Sequence, residues 1–358
     1  MCRRPQTNLI SFPTLGGNLM PFDWRKKTVI VLSFLAIHAS ATAKPVTLEM
    51  AYMPIVPCSQ IFVMEGLGWT KKAGLNLKFT RFSNGPAIVQ AIASGKMDVM
   101  CFGVGPAMVT RGKGIKIKVI AAGIINQIAA VGQGDFVNYV NKYGVTKALT
   151  KWRDEKGKKV RIASFPKGSV PDTVTRHWLI NSLGLDINQV ELVGMGAARV
   201  QQALLSRSVD AAGILEPILT IVQEKLNDAK VIAGAKDMMP GQPGSTIAAR
   251  ERIINEHRDA LVKFVALHIK ATNLLTNNPE KAAPLVKSFI GKGLLKEETI
   301  LKALTSPASN FRSDPRKIVK DTEYMADFQK TRKINTKVST RGLFDNTIYE
   351  AAEQYLKK

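Results

Sequence analysis

Apolar and polar positions alternate in Val46-Thr-Leu-Glu-Met-Ala-Tyr52 and again in Leu75-Asn-Leu-Lys-Phe-Thr-Arg-Phe82, the period-two pattern of strands with one buried face. Between them, Ser59 to Lys72 carries helical spacing that Gly74 stops. Ser83-Asn84-Gly85 reads as a turn and Pro86 starts the next helix. Lys116-Ile-Lys-Val-Ile-Ala-Ala122 is a further strand, and the run Ile128 to Val131 continues toward a second unit. There the same grammar restarts, with a strand at Lys159 to Ala163, a turn at Gly168-Ser169-Val170, a helix from Pro171 to Leu183 and a stop at Gly184. Val231-Ile232 and a Gly/Pro-rich stretch from Pro240 to Gly244 precede a return strand at Thr246 to Arg250. From 255 to 358 the pattern is almost wholly helical, with breaks at Asn278-Pro279 and Ser306-Pro307.

One phrase is written twice. Gln90-Ala-Ile-Ala-Ser-Gly-Lys-Met-Asp98 and Gln202-Ala-Leu-Leu-Ser-Arg-Ser-Val-Asp210 each pair the tail of an amphipathic helix with a tight turn and an Asp that opens an apolar strand. Each strand then meets a proline-started helix, through Gly105-Pro106 and Glu216-Pro217. A repeated helix, turn, strand and helix predicts two similar lobes, each with its own sheet. Strands alternating with helices predict an α/β fold with mainly parallel sheets flanked by helices and a ligand cleft between the lobes. The boundaries expected are 44–124 plus 245–358 for the first lobe and 125–244 for the second. Two chain crossings between lobes make a hinge.

The first 43 residues change this picture. Arg25-Lys-Lys27 precedes the apolar run Thr28 to Ile37, which ends at Ala41-Thr-Ala43. A charged start, an apolar core too short to span a bilayer and an Ala-x-Ala site describe a secretory signal cleaved before Lys44, with Met20 as the working start. The expected location is therefore the periplasm. Cleavage takes five Lys or Arg and one Asp from the 51 basic and 28 acidic residues, leaving 46 against 27 and a net charge of +19. The basic residues are spread along the chain with no long run and few interleaved aromatics, which with export argues against nucleic acid; the charge reads mostly as a solvated face, with small anions or an acidic partner as the secondary reading. Only Cys58 and Cys101 survive processing, and whether they pair is open.

The candidate chemistry lies in the turns. Pro86, Pro106, Pro171 and Pro217 each follow a strand and occupy the first position of a helix. Ligands of open parallel sheets bind beyond the carboxyl ends of the strands, where such helices begin, and free helix amides suit an oxyanion. Ser83, Asn84 and Ser169 add hydrogen-bonding groups, and Gly85, Gly103, Gly105 and Gly168 allow close backbone approach. Glu216 stands where the first copy has Gly105, and faces either an amine on the ligand or a neighbouring Arg. Tyr52 is a candidate for stacking or hydroxyl contact. Asp98 and Asp210 read as turn residues rather than catalytic carboxylates. His177, His257 and His268 lie in helical segments without metal-ligand spacing, and no Gly-x-Ser-x-Gly elbow, P-loop or Rossmann fingerprint occurs. The chain is read as a binder, not an enzyme, with no cofactor or metal.

Tyr52-Met-Pro, Gly66-Leu-Gly-Trp-Thr-Lys-Lys-Ala-Gly-Leu-Asn-Leu, Ala91 to Asp98, Gly157-Lys-Lys-Val, Leu183-Gly-Leu-Asp and Val209-Asp-Ala-Ala-Gly-Ile-Leu-Glu-Pro217 follow one another in an order that resembles the nitrate/sulfonate/taurine family of periplasmic solute-binding proteins. The family includes relatives that bind a pyrimidine precursor of thiamine. The resemblance covers nearly all of residues 46–285. It implies a two-lobed periplasmic-binding-protein-like fold of type II that closes on a ligand, acting as a monomer with an ABC permease and its ATPase. It places ligand contacts at Tyr52 to Ser59, Ser83 to Gly85 and Gly168 to Val170, with Gly105 and Glu216 as further lining. The implied solute is a small organic anion such as a sulfonate, taurine or nitrate. The alternatives are a thiamine-precursor pyrimidine, an amine-bearing solute, or a sensor subunit in place of a transporter. The loop Met53-Pro-Ile-Val-Pro-Cys58 is apolar for an inorganic-anion binder, and the use of the helical tail beyond 285 stays open.

Overall fold

The computed structural model describes residue 11 and residues 44–358; the secretory signal and the Met20 start lie outside the described residues. The first sheet holds β1 (Val46–Tyr52), β2 (Leu75–Arg81), β3 (Val99–Gly103) and β4 (Ile117–Ala122). After a two-residue β5 (Ile124–Ile125), the chain builds the second sheet from β6 (Ala129–Gly132), β7 (Val160–Ser164), β8 (Val190–Gly194), β9 (Ala211–Ile214) and β10 (Lys230–Ala233). It returns as β11 (Ser245–Arg250) between β3 and β4, and β12 (Asn310–Phe311) later pairs with β5.

The two sheets have one topology. Their orders are β2-β1-β3-β11-β4 and β8-β7-β9-β6-β10, with the first three strands parallel in each. The fourth strand of each runs antiparallel, which departs from a wholly parallel reading. Those strands, β11 and β6, are the ones that follow the crossings, so each lobe's sheet is completed by chain arriving from the other side. The duplicated Asp explains the repeated phrase. Asp98 Oδ2 accepts from Glu49 N at 3.0 Å, and Asp210 Oδ2 accepts from Arg161 N at 2.7 Å. In both lobes the carboxylate ties the turn that opens the central strand to the strand beside it, a structural duty.

Several boundaries differ from the sequence pattern. The helix from Ser59 breaks into Ser59–Gly66 and Trp69–Lys72 because Gly68 takes φ +64°. The helix at Pro171 runs Val170–His177 and then widens to a π-turn at Trp178–Ser182. None of the four prolines sits at the first helical position. Pro86 and Pro171 are second, Pro106 is third, and Pro217 caps the helix Ile218–Lys225. All the opening amides of a helix lack intrahelical acceptors, so each of these places tolerates proline.

Large side chains such as Phe62, Phe102, Phe264 and Trp178 are buried, each contributing about 1.5–3 kcal/mol for a side chain of this class. The tail touches both lobes. Helix Arg258–Asn277 packs on Ser59–Gly66, whereas Glu297–Thr305 packs on Ile218–Lys225, and Val319–Thr331 lies against both Val104–Gly112 and Val170–His177. Among the described residues no helix is long and apolar enough to cross a membrane.

Candidate functional site

The carboxyl ends of β1, β3 and β7 open toward one another, and the segments that follow them enclose a cavity. The first sheet contributes Met53, Ile55, Pro57, Cys58, Gly85, Phe102, Gly103, Pro106 and Ser245; the second contributes Phe165, Ser169, Val170, Pro171 and Leu215. Gln127, on the first crossing, completes the wall. The enclosed space is about 20 Å³, room for about one water molecule, so a larger solute enters only when the lobes part. The seam is tight: Val56 N donates to Glu216 O at 3.3 Å and Ala197 N to Ser83 O at 3.4 Å. An open groove of about 440 Å³ continues past Met53, where Arg81 and Ser83 face Ala197 and Ala198.

Cys58 and Cys101 form a disulfide with Cα atoms 6.1 Å apart, tying the loop after β1 to β3 directly behind the cavity. The bond settles the pairing that the sequence left open and removes both thiols from reactive chemistry. Among the described residues no group of three or more His, Cys, Asp or Glu is placed to hold a metal ion.

Of the candidate residues, Gly85, Ser169 and Val170 line the cavity. Ser83 lines the outer groove, and its Oγ accepts from Asn84 Nδ2 at 3.0 Å. Asn84 is spent on its own helix, where Oδ1 caps Ala87 N at 2.9 Å. Ser169 caps likewise, its Oγ accepting from Asp172 N at 3.3 Å. Gly168 adopts φ +84° and donates its amide to Asp172 Oδ2 at 3.1 Å. Gly105 sits on the seam: a Cβ there would lie 2.8 Å from the Gly168 carbonyl oxygen of the other lobe. Ser59 is buried at the start of its helix, and its Oγ has no hydrogen-bond partner among the described residues.

Two candidates stand away from the cavity. Tyr52, the last residue of β1, sets its ring edge-on to Phe62 and Phe79, with centroids 5.7 and 5.3 Å away, in a cluster that also stacks Phe289 on Phe62. Met53, one residue on, takes the cavity wall instead. Among the described residues Glu216 pairs with no Arg. Its Oε2 accepts from Thr220 N at 3.1 Å, Ser306 supplies a further hydrogen bond, and Leu215 lines the cavity in its place. Burial pushes the Glu216 carboxyl above its ordinary range.

The electrostatics depart from a strongly anion-seeking site. Among the described residues no charged side chain lines the cavity. The positive end of Val170–His177 already meets the chain's own Asp172 carboxylate, which also accepts from Arg176 Nε at 2.8 Å and whose carboxyl is raised chiefly by burial. Pro86, Pro106 and Pro171 each remove one amide from the opening turns. The sequence reading missed Gln127, Phe102, Phe165 and Ser245. For Gln127 a signal existed: Asn126-Gln127 is the one polar pair inside the apolar run Ile124 to Val131.

Comparison with known proteins agrees with this architecture. A Brucella abortus protein with no more specific name than that of a binding protein is 27% identical over 248 residues, covering 65% of this chain and 72% of that one. The taurine-binding periplasmic protein of Escherichia coli is 23% identical over 271 residues, covering 73% and 75%. The crystal structure of the periplasmic nitrate-binding protein NrtA from Synechocystis PCC 6803 superposes with a TM-score of 0.73 at 12% identity, covering 87% of this chain and 89% of that one. The fold is thus a two-lobed α/β arrangement, as the repeat predicted, of the type II that the family resemblance implied. The model of the NMT1-like family matches residues 41–290, a span that takes in both sheets and every wall of the cavity, and the chain belongs to that family.

Proposed function

We propose that the protein is the extracytoplasmic solute receptor of an ABC-type importer, exported by the leader before Lys44 and handing a small organic solute to a membrane permease driven by its ATPase. The observation that carries this reading is a cavity walled by both sheets and by a crossing segment. Lobes 44–124 plus 245–358 and 125–244 part at the crossings to admit the solute and close on it, so that binding energy is used to fix the closed form. The walls are Gly, Pro, aliphatic and aromatic groups with three neutral polar side chains, a set that holds a molecule and offers no base or nucleophile for changing it.

The taurine-binding relative favours a second reading in which the solute is a small sulfonate or carboxylate. Its oxygens would take the opening amides of Gly85–Ala93 and Val170–His177, with Arg81 at the mouth. The test is a thermal-shift screen of residues 44–358, unfolded and refolded to strip carried solute. The panel spans sulfonates, carboxylates, nitrate, carboxamides and amines. A solute at 100 times its Kd adds about 2.7 kcal/mol. A shift for one chemical class that disappears when Gly103→Trp fills the cavity supports the receptor reading. Equal shifts in both proteins, or none with any compound, overturn it.

A further inference from the structure

The two crossings carry two buried glutamines with opposite fortunes. Gln242, fully buried on the second crossing, is saturated: its Oε1 accepts from Ile128 N at 2.8 Å, and its Nε2 donates to Ile128 O at 3.2 Å and Ala235 O at 2.9 Å. Gln127, on the first crossing, is 2% exposed and lines the cavity, yet its Oε1 has no hydrogen-bond partner among the described residues. A buried amide left unanswered carries its full desolvation penalty. The segment that presents it is also strained, since Asn126 holds φ +50°. Gln242 staples this strained segment in place by accepting Asn126 N at its carbonyl and bonding both polar groups of Ile128. The fold therefore spends backbone strain and a clamp on holding a primary amide where protein groups do not answer it.

What surrounds the amide narrows the solute. Phe102 and Phe165 come from opposite lobes, Pro57 and Leu215 add apolar wall, and no charged side chain lines the space. A carboxylate or sulfonate here would face no counter-charge from the lining side chains. A primary amide offers a donor and an acceptor side by side, and its best complement is a neutral group with the same pair reversed. We infer that Gln127 is the hydrogen-bonding anchor of the solute, and that the solute is an uncharged, largely apolar molecule bearing a carboxamide. This deepens the receptor reading and rests on it. Because Gln127 sits on a crossing, the same bond couples occupancy to the hinge.

The experiment uses the full 44–358 protein, stripped of solute, with isothermal calorimetry of benzamide, benzoate, benzenesulfonate, taurine and benzamidine. Benzamide is expected to bind at least tenfold more tightly than benzoate. Gln127→Leu is expected to lose benzamide by 10- to 100-fold, and Gln127→Glu, which keeps the shape and adds charge, to exchange benzamide for benzamidine. The Gln127→Glu exchange keeps the test decisive if the leucine variant fails to fold. Benzenesulfonate or taurine binding that is lost in Gly103→Trp but unchanged in Gln127→Glu would sink the anchor while leaving the receptor reading intact. No binding of any probe by the wild-type protein would overturn both.

Discussion

Replacing Gly105 by Ala tests whether the seam between lobes is a working contact. The added Cβ would lie 2.8 Å from the Gly168 carbonyl oxygen, about 0.6 Å inside the 3.4 Å at which ordinary contact begins. The backbone fixes the position of the Cβ, and the atom it meets is a backbone carbonyl oxygen, so no side-chain rotation relieves the overlap. Forcing such an overlap costs about 1–3 kcal/mol. Within its own helix, Val104–Gly112, the change is favourable by up to about 1 kcal/mol, because Ala loses less backbone freedom than Gly. The two terms have opposite signs and separate the possibilities. If the lobes meet as described, the cost falls on the closed form alone, and a penalty of 1–3 kcal/mol lowers its population relative to the open form by roughly 5- to 150-fold. Small-angle X-ray scattering should then show a larger radius of gyration for Gly105→Ala, and any solute captured in the cleft should bind correspondingly more weakly. Thermal unfolding should change little. A variant that is more stable, with an unaltered scattering curve and unaltered affinity, would refute the seam, since only the helix term would then have acted.

The remaining expectations concern stability. The disulfide Cys58–Cys101 spans a sequence separation of 43, for which the chain-entropy estimate is about 4 kcal/mol, so Cys58→Ala/Cys101→Ala should lower the urea midpoint and steepen the slope, because the uncrosslinked unfolded chain exposes more surface; an unchanged midpoint would count against the bond. Glu216 has a carboxyl raised by burial above 4.5, so its contribution to stability falls as pH rises through the carboxylate range. Glu216→Gln, which can still accept from Thr220 N, should therefore be the more stable protein at pH 7, with the gap closing below about pH 4.5; a gap independent of pH would contradict the buried charge. His268 is fully buried, its Nε2 bonded to Ala122 O at 2.6 Å, and burial pushes its pKa down to about 4 from 6.5. The unfolded chain takes up a proton first on acidification, so stability present above pH 6.5 is lost as pH falls toward 4, by up to about 3 kcal/mol. Urea titrations of His268→Gln against wild type across that window should show a shallower loss of stability on acidification in the variant; parallel curves would refute it.

Much of the scaffold was legible because it depends on local rules. Alternation in 46–52 and 75–82 marked β1 and β2 to within a residue, and the doubled Gln-to-Asp phrase marked two sheets of one topology. The site was legible only in part, since a cavity wall depends on which face of an element turns inward. Tyr52 and Met53 are neighbours at the end of β1, and a one-residue step puts one into the aromatic cluster and the other against the cavity. Glu216 looked available because a carboxylate after a strand usually seeks a partner; its partner was the amide of Thr220, one turn along its own helix. The caps Asn84 and Ser169 were recognised as polar groups at helix starts, but a single side-chain oxygen serves one donor well, and the helix had first claim.

The tail decides how the hinge can move. A hinge made of two crossings stapled by Gln242 bends about one line, and anything touching both lobes away from that line must slide or break. Helix Val319–Thr331 is such an element, lying against Val104–Gly112 on one side and Val170–His177 on the other. Its grip on the second lobe is His177, whose Nε2 meets the Tyr324 hydroxyl at 2.9 Å and whose ring stands edge-on to Phe328 at 5.1 Å. Burial lowers the His177 pKa, so the ring stays neutral and the contact carries no ion-pair strength at pH 7. Further links from tail to second lobe are Thr299 Oγ1 donating to Glu224 Oε2 at 2.7 Å, Arg332 donating to Asn181 Oδ1 at 3.2 Å, the Ser306 hydrogen bond to Glu216, and Lys302 to Glu224 at 2.8 Å, the last joining a cation that is 65% exposed to a carboxylate that is 28% exposed and worth under about 1 kcal/mol. These ties are short in reach and individually weak. On the receptor reading proposed above, these ties must give way when the lobes part, at a cost that a bound solute can offset.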